Sequence, residues 1–322
     1  MDLNIFSKYI CPQLIICKAK VILETLNKKT SLKSILIDFK AITKMGLAIS
    51  VVFSAIIGYL LGVSNEFPFK WSTLILLAIG GYCMVGASNV YNQIIEKDLD
   101  AKMDRTKNRP IPSGSMSRTT AFVLGTVLTI IGLAILYAIN PKSAMFGAIS
   151  IFLYVSVYTP LKTKTPLAVF VGALPGAIPF MLGWVAATNQ FGIEAGTLFL
   201  IQFFWQFPHF WAIGWFLYDD YSKAGFYMLP TGKRDKKTAL QTILYTIWLI
   251  IASVIPAFGF TGSLKLSAVA AIVVALLGLW MLYYAMKLYK EMTKEAARTL
   301  MLVSVSYISL LQIVYVIDKF LR

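Results

Sequence analysis

Three oxygen-bearing side chains, Asn92, Glu96 and Asp100, recur at four-residue intervals. On a continuing helix that spacing stacks them along one face. Amide and carboxylate oxygens are hard ligands suited to Mg2+, which prefers a few carboxylates plus substrate phosphates to an all-protein cage. Arg105 and Arg109 follow about one turn later in "DLDAKMDRTKNRP", where guanidinium groups can grip phosphate oxygens. The plain alternative is a salt-bridged helix end. Asn89, Asn92 and Gln93 argue against it, because they reach back into an apolar run where unpartnered polar groups are costly. The pattern predicts metal-assisted chemistry on a phosphorylated substrate.

A second acidic cluster closes the stretch "FWQFPHFWAIGWFLYDDYSKAGFYMLP", Phe204 to Pro230. Asp219 and Asp220 are expected at a helix end, with Gly225 and Pro230 preventing its continuation. His209 precedes Asp220 by eleven residues, which on one helix is about three turns, or roughly 16 Å, along nearly the same face. It is the only histidine of the chain. Ionisable residues inside a membrane span point to function by default, so His209 is expected to contact a substrate. A third stretch, "VYTPLKTKTP", sets Tyr158 and Lys162 four apart where prolines break the helix.

The elements that must position these groups are transmembrane helices. The chain has 322 residues, 58% of them hydrophobic and only 14% charged, too apolar for a soluble domain to cover its surface. Runs long enough to cross a ~30 Å hydrocarbon core fall at about 45–63, 72–95, 120–139, 143–160, 166–188, 196–218, 238–259, 264–286 and 299–317. The expected fold is all-α, a polytopic membrane protein of nine transmembrane helices in one domain, residues 45–322. Residues 1–44 form an N-terminal segment, with a surface-lying helix expected over Ile5–Ile37.

The net charge of +15 resolves into topology rather than nucleic-acid binding. Alternate connections, starting with the N-terminal segment, carry 25 Lys and Arg, and the others carry 5. The positive-inside rule therefore places the N-terminus and both acidic clusters in the cytoplasm, and an odd number of spans sends the C-terminus to the opposite face. Cys11, Cys17 and Cys83 have neither metal nor redox spacing. The first 44 residues hold eight Lys and no Arg, the design of neither a signal peptide nor a transit peptide.

Taken together, the three stretches resemble the UbiA superfamily of intramembrane prenyltransferases, and within it the heme O synthase branch. The first motif is similar to Asn89-x-x-Asn92-Gln93-x-x-Glu96-x-Asp98-x-Asp100-Ala-x-Met103-x-Arg105-Thr106-x-x-Arg109-Pro110. Further signatures are Tyr158-Thr-Pro-Leu-Lys162, Pro208-His209-Phe-Trp211-Ala, and Asp219-Asp220-Tyr221-x-x-Ala224-Gly225-x-x-Met228-Leu229-Pro230. "GALPGAIPFMLGW", Gly172 to Trp184, is like the Gly/Pro-rich fifth helix of that branch. The resemblance spans residues 40–317. It implies nine helices around a central cavity, Mg2+ as cofactor, and farnesyl diphosphate and heme B as substrates. Asn92, Glu96, Asp100, Asp219 and Asp220 are then the metal ligands. Tyr158 joins Asn92, Glu96, Asp100 and Asp220 in catalysis, and Lys44, Arg105, Arg109, Lys162 and Lys223 hold the diphosphate. His209, Trp205 and Trp211 receive the heme. A lipid bilayer surrounds the chain in the bacterial cytoplasmic membrane, and a downstream heme-modifying enzyme is an implied partner.

Departures from the pattern sharpen these expectations. Lys223 and Ala224 stand where the quinone-making branch repeats an Asp-x-x-x-Asp spacing. "ITKMG", Ile42 to Gly46, leaves Lys44 as the one phosphate-binding base at the first span. Phe207, just before the Pro-His pair, alters pocket shape. The rival functions are an aromatic prenyltransferase of quinone synthesis and, in another class, an intramembrane cation transporter. The transporter lacks the internal repeat and the midplane acids typical of that class.

Overall fold

The computed structural model describes residues 32–322; Cys11, Cys17 and most of the expected surface helix over Ile5–Ile37 lie outside them. A helix, Leu32–Ile42, comes first, and residues 41–322 form one compact unit. Among the described residues the unit is helical throughout, with no strand. The long helices are α1 (Met45–Gly62), α2 (Trp71–Ile95), α3 (Arg118–Ile139), α4 (Pro141–Leu161) and α5 (Leu167–Thr188). They continue as α6 (Ile193–Phe216), α7 (Lys236–Phe258), α8 (Ala268–Glu291) and α9 (Lys294–Leu321). Eight of the nine are long and apolar enough to cross a membrane. The remaining one, α6, is equally long at 24 residues, but its apolar run is diluted by Gln202, Gln206, Pro208 and His209.

Side chains at the loop ends start these helices. Ser117, Asn140, Asp235, Ser267 and Thr293 each accept a hydrogen bond from the backbone N–H three residues on, satisfying a donor the helix cannot. The last two helices begin and end away from the expected positions. α8 runs on to Glu291, closing at Met292 in the left-handed conformation, and Thr293 starts α9 at Lys294, because their charged ends stay helical beyond the apolar runs from which the spans were read.

Each helix packs on the next, and α9 returns to α1, so the nine close into a ring; α5 packs across it on α1, and α6 on α9. Glycine permits the tightest crossing. A Cβ on Gly183 would lie 1.9 Å from the Ala55 carbonyl oxygen, and one on Gly58 would lie 2.0 Å from that of Phe180. Backbones can approach this closely only without side chains, the usual device for helices that gain no hydrophobic drive from lipid. Outward faces present large apolar residues such as Ile130, Val269, Ile272 and Leu276, as a lipid-facing surface requires.

Candidate active site

The polar residues at the end of α2 divide into two kinds. Asn89 Nδ2 donates to the Thr43 carbonyl at 3.0 Å, and Gln93 Nε2 donates to that of Ile42 at 2.7 Å. These two fix the backbone leading into α1, where Lys44 adopts the left-handed conformation, φ 49°. Asn92 instead faces the chemistry. Its Oδ1 accepts from Lys44 Nζ at 3.4 Å and its Nδ2 donates to Thr159 Oγ1 at 3.2 Å.

The helix does not run straight through the motif. It ends at Ile95, Glu96 departs from helical geometry, and Lys97–Asp100 forms a separate turn. The backbone bonds Glu96 N to Asn92 O, 2.9 Å, and Asp100 N to Glu96 O, 2.7 Å, nevertheless survive the break. Asn92, Glu96 and Asp100 therefore remain aligned, and all three are buried.

Each acid has a base beside it. Arg109 donates to Asp100 Oδ2 at 2.7 Å, and Lys162 Nζ lies 2.8 Å from Glu96 Oε1. The second contact is a charge pair lying off the direction a hydrogen bond needs, so Glu96 Oε1 has a cation nearby but no aligned donor. Asp100 Oδ1 is likewise buried without a hydrogen-bond partner among the described residues. Burial, then the charges of Arg109 and Lys162, lowers the Lys44 ammonium to about 7, against the pull of Glu96 and Asp100. Burial would also depress Lys162, but Glu96 leads the charges that raise it on balance. Lys162 Nζ also sits 4.6 Å from the centroid of the Tyr158 ring. Lys44, Asn92, Glu96, Asp100, Arg109, Tyr158 and Lys162 thus form one cluster, buried except for the half-buried Lys44 and Arg109.

A π-helical segment, Leu153–Tyr158, brings α4 to this cluster. Pro160 has no N–H and crowds the carbonyl four residues back, so the local bonding widens. The Tyr154 carbonyl then accepts from both the backbone and the hydroxyl of Thr159. Tyr158 lies against Gly172, where a Cβ would meet its ring at 2.7 Å.

The second acidic cluster reaches the first through the backbone. Asp220 accepts from the amides of Asp104, 2.8 Å, and Arg105, 3.4 Å, so both loops meet at one end of the ring. Lys223 pairs with Asp104 and lies 3.5 Å from Asp220. Hydrogen bonds from Lys107 and Lys223 hold the exposed Asp104 carboxyl down at about 2. Arg105 rests 6.0 Å from the Tyr221 ring. Asp219 is taken by Arg234 through two hydrogen bonds, at 3.2 and 3.0 Å, and stays largely exposed.

Asp219 and Asp220 are therefore not gathered with Glu96 and Asp100, and no group of three or more Asp, Glu, His or Cys side chains forms a metal cage among the described residues. Between His209 and Asp220 the helix is interrupted much as it is at Glu96, and the bonds Leu217 N to Ile213 O, 2.8 Å, and Tyr221 N to Leu217 O, 2.9 Å, persist across the break. α6 stops at Phe216, and Leu217, φ −100° and ψ 16°, separates it from the turn Tyr218–Lys223. His209 and Trp205 face α9, where Ser304 contacts both. Trp211 is buried on another face, against Phe207 and Tyr245.

Sequence reasoning gave no role to Thr159 and Thr106, although both stand within its motifs, and missed Arg234 and Ser304. Thr106 Oγ1 donates to the Asp100 carbonyl at 2.8 Å. Arg234 was visible only as part of a basic loop, and Ser304 gave no signal at all.

Such a cluster suits a metal. A buried carboxylate oxygen without a donor is costly unless a cation meets it. Asp100 Oδ1 is such an oxygen, while Glu96 Oε1 is met only by the misaligned Lys162 ammonium, and Asn92 stands in line with both. Three hard ligands completed by phosphate and water are the coordination Mg2+ prefers.

A bundle of membrane-crossing helices with buried acids and bases at one end defines an enzyme that handles a charged headgroup on an apolar molecule. The chain belongs to the UbiA prenyltransferase family, whose pattern matches residues 51–311. It is an integral membrane prenyltransferase. A protoheme IX farnesyltransferase of Flavobacterium johnsoniae is 75% identical over 91% of this chain and 97% of its own length. Its counterpart in Cytophaga hutchinsonii is 40% identical over 86% and 96%. In fold the chain is similar to a digeranylgeranylglyceryl phosphate synthase, with a TM-score of 0.72 at 19% identity over 88% and 98% of the two chains. It is also similar to a UbiA homolog from Archaeoglobus fulgidus bound to GPP and Mg2+, with a TM-score of 0.61 at 14% identity over 86% and 99%.

Proposed function

We propose that this chain transfers the farnesyl group of farnesyl diphosphate to a vinyl group of heme B, with addition of water, giving heme O. The buried carboxylates of Glu96 and Asp100, with Asp100 Oδ1 unpartnered, beside Lys44, Arg109 and Lys162 carry the diphosphate half of this reading. The acceptor half rests on the relatives' activity.

Mg2+, when bound, supplies Lewis-acid neutralisation of the leaving diphosphate. Asn92, Glu96 and Asp100 would hold it, with Asp219 and Asp220 as further ligands if they leave Arg234 and the loop amides. Arg109, Lys162, Lys44, Arg105 and Lys223 would bind the diphosphate oxygens, adding fixed charge where negative charge develops. The allylic C–O bond breaks, and its electron pair leaves with the diphosphate. The farnesyl carbon bonds to the outer vinyl carbon, and water adds to the inner one, its proton leaving with the diphosphate. The Tyr158 ring, already facing the Lys162 cation, offers a π face to the allylic cation.

His209 and Trp205 hold the heme, while Trp211, buried on another face, packs against Phe207 and Tyr245. Residues 45–322 act as a single catalytic domain, and residues 1–44 are a cytoplasmic N-terminal segment. The protein lies in the bacterial cytoplasmic membrane, N-terminus inside and C-terminus outside, and its product goes to a downstream heme-modifying enzyme.

Purified protein tests this directly against its nearest rival. Binding of heme B with no binding of hydroxybenzoate or naphthoate is expected. The reverse result assigns the chain to quinone chemistry.

A further inference from the structure

We infer that Ser304 holds His209 in the tautomer and orientation that offer Nε2 to the iron of the acceptor porphyrin. The inference rests on the heme reading above and adds a residue to it.

Hydrogen-bond direction carries it. His209 Nδ1 lies 2.8 Å from Ser304 Oγ, across the packing of α6 on α9. A serine hydroxyl has one proton. That of Ser304 goes to the Met301 carbonyl, 2.7 Å away. Its oxygen is then left to accept, and the donor is His209 Nδ1–H. That contact puts the ring proton on Nδ1 and leaves a lone pair on Nε2. Among the described residues no hydrogen-bond partner meets Nε2, and the side chain is only partly buried.

Ring orientation is fixed by the same residue. Trp205 Nε1 donates to the Ser304 carbonyl at 2.6 Å. The indole then stacks on the imidazole with centroids 4.6 Å apart and planes at 17°. Ser304 thus anchors the imidazole through its hydroxyl and the stacking indole through its carbonyl. A histidine serving only to pack would gain by satisfying both nitrogens. One nitrogen donating to a fixed acceptor, with the other left open, is the arrangement of a metal-ligating imidazole and its supporting group. His209 lies seven residues, about 10 Å, from the end of α6 at Phe216. That depth is apolar, and a porphyrin face is compatible with it. Ser304 is a positioning residue, and the atom it presents is Nε2 of His209.

The test uses the full chain in detergent. Ferric heme B and metal-free protoporphyrin IX are titrated separately, and the reduced heme complex is read by resonance Raman for an iron–histidine stretch. The wild type is expected to show that band. Ser304→Ala should weaken heme binding about tenfold, the lower end for loss of a group supporting a metal ligand, and move the band to lower frequency. Its affinities for metal-free porphyrin and for a farnesyl diphosphate analogue should stay within about twofold, well below that loss. Ser304→Thr should behave as wild type. His209→Ala should lose the band, and added imidazole should restore it. An unchanged band and affinity in Ser304→Ala, or equal weakening towards both porphyrins, overturns the inference, as does a band that survives His209→Ala. A wild type that binds both porphyrins without the band also overturns it, while leaving heme as acceptor. A wild type that binds neither overturns the heme reading itself.

Discussion

Replacing Asp100 with Asn alters the charge of the central carboxylate and keeps its shape. The side chain is fully buried, one oxygen held by Arg109 at 2.7 Å and the other unpartnered. Asn still offers an oxygen to Arg109, so the loss to the fold is that of a charge-assisted bond becoming a neutral one, about 1–2 kcal/mol. Binding of the cation loses far more. Two unit charges about 4 Å apart interact by about 4 kcal/mol at an effective dielectric of 20. If that contribution is realised in the transition state, turnover falls about a thousandfold at 1.4 kcal/mol per factor of ten. The assay is prenyl transfer by purified protein at fixed farnesyl diphosphate across a Mg2+ titration, with melting curves alongside. A variant that melts within a few degrees of wild type but turns over about a thousandfold more slowly is the expected result. Turnover within tenfold of wild type at limiting Mg2+ would refute the assignment of Asp100 to the metal.

Arg109→Gln should act in the opposite sense on the metal alone. It leaves the Asp100 carboxylate buried without its counterion, so affinity for Mg2+ without substrate should rise and affinity for Mg2+–diphosphate should fall; isothermal titration of both checks this. Gly183→Ala should cost about 3 kcal/mol or more through its clash with the α1 backbone. Gly196→Ala, with nothing within 4 Å, should be neutral or slightly stabilising; thermal melts of the two variants separate packing from propensity. Single cysteines at Lys107 and Lys236, in a background without Cys11, Cys17 and Cys83, should label from one side of the membrane and a cysteine at Lys142 from the other. Labelling of Lys107 and Lys236 from opposite sides would contradict the topology.

Much of this architecture was legible in the sequence because a lipid environment is a severe filter. Apolar runs of the required length located all nine long helices. The filter failed at the charged C-terminal end of α8, closed at Met292 in the left-handed conformation, and at the charged start of α9, capped by Thr293. The four-residue spacing of Asn92, Glu96 and Asp100 survived a broken helix, because both backbone bonds linking them persist. Nothing in the local sequence announces the similar break at Leu217, between His209 and Asp220, where the linking backbone bonds also persist. Partners far apart in the chain were out of reach in principle. That Arg234 takes Asp219, that Asp220 caps the 104–105 backbone and that Ser304 meets His209 across 95 residues are facts of tertiary packing, for which spacing within one segment carries no information.

The central claim is that a metal-held farnesyl diphosphate reacts with a heme acceptor. Its most direct test is incubation of membranes containing the protein with heme B, farnesyl diphosphate and Mg2+, followed by mass analysis of the extracted hemes. The account predicts a product heavier than heme B by one farnesyl group plus one water, absent when Mg2+ is chelated and absent with Asp100→Asn. Unmodified heme B recovered alongside a prenylated quinone precursor, or a farnesylated heme formed equally well without divalent cation, would contradict it.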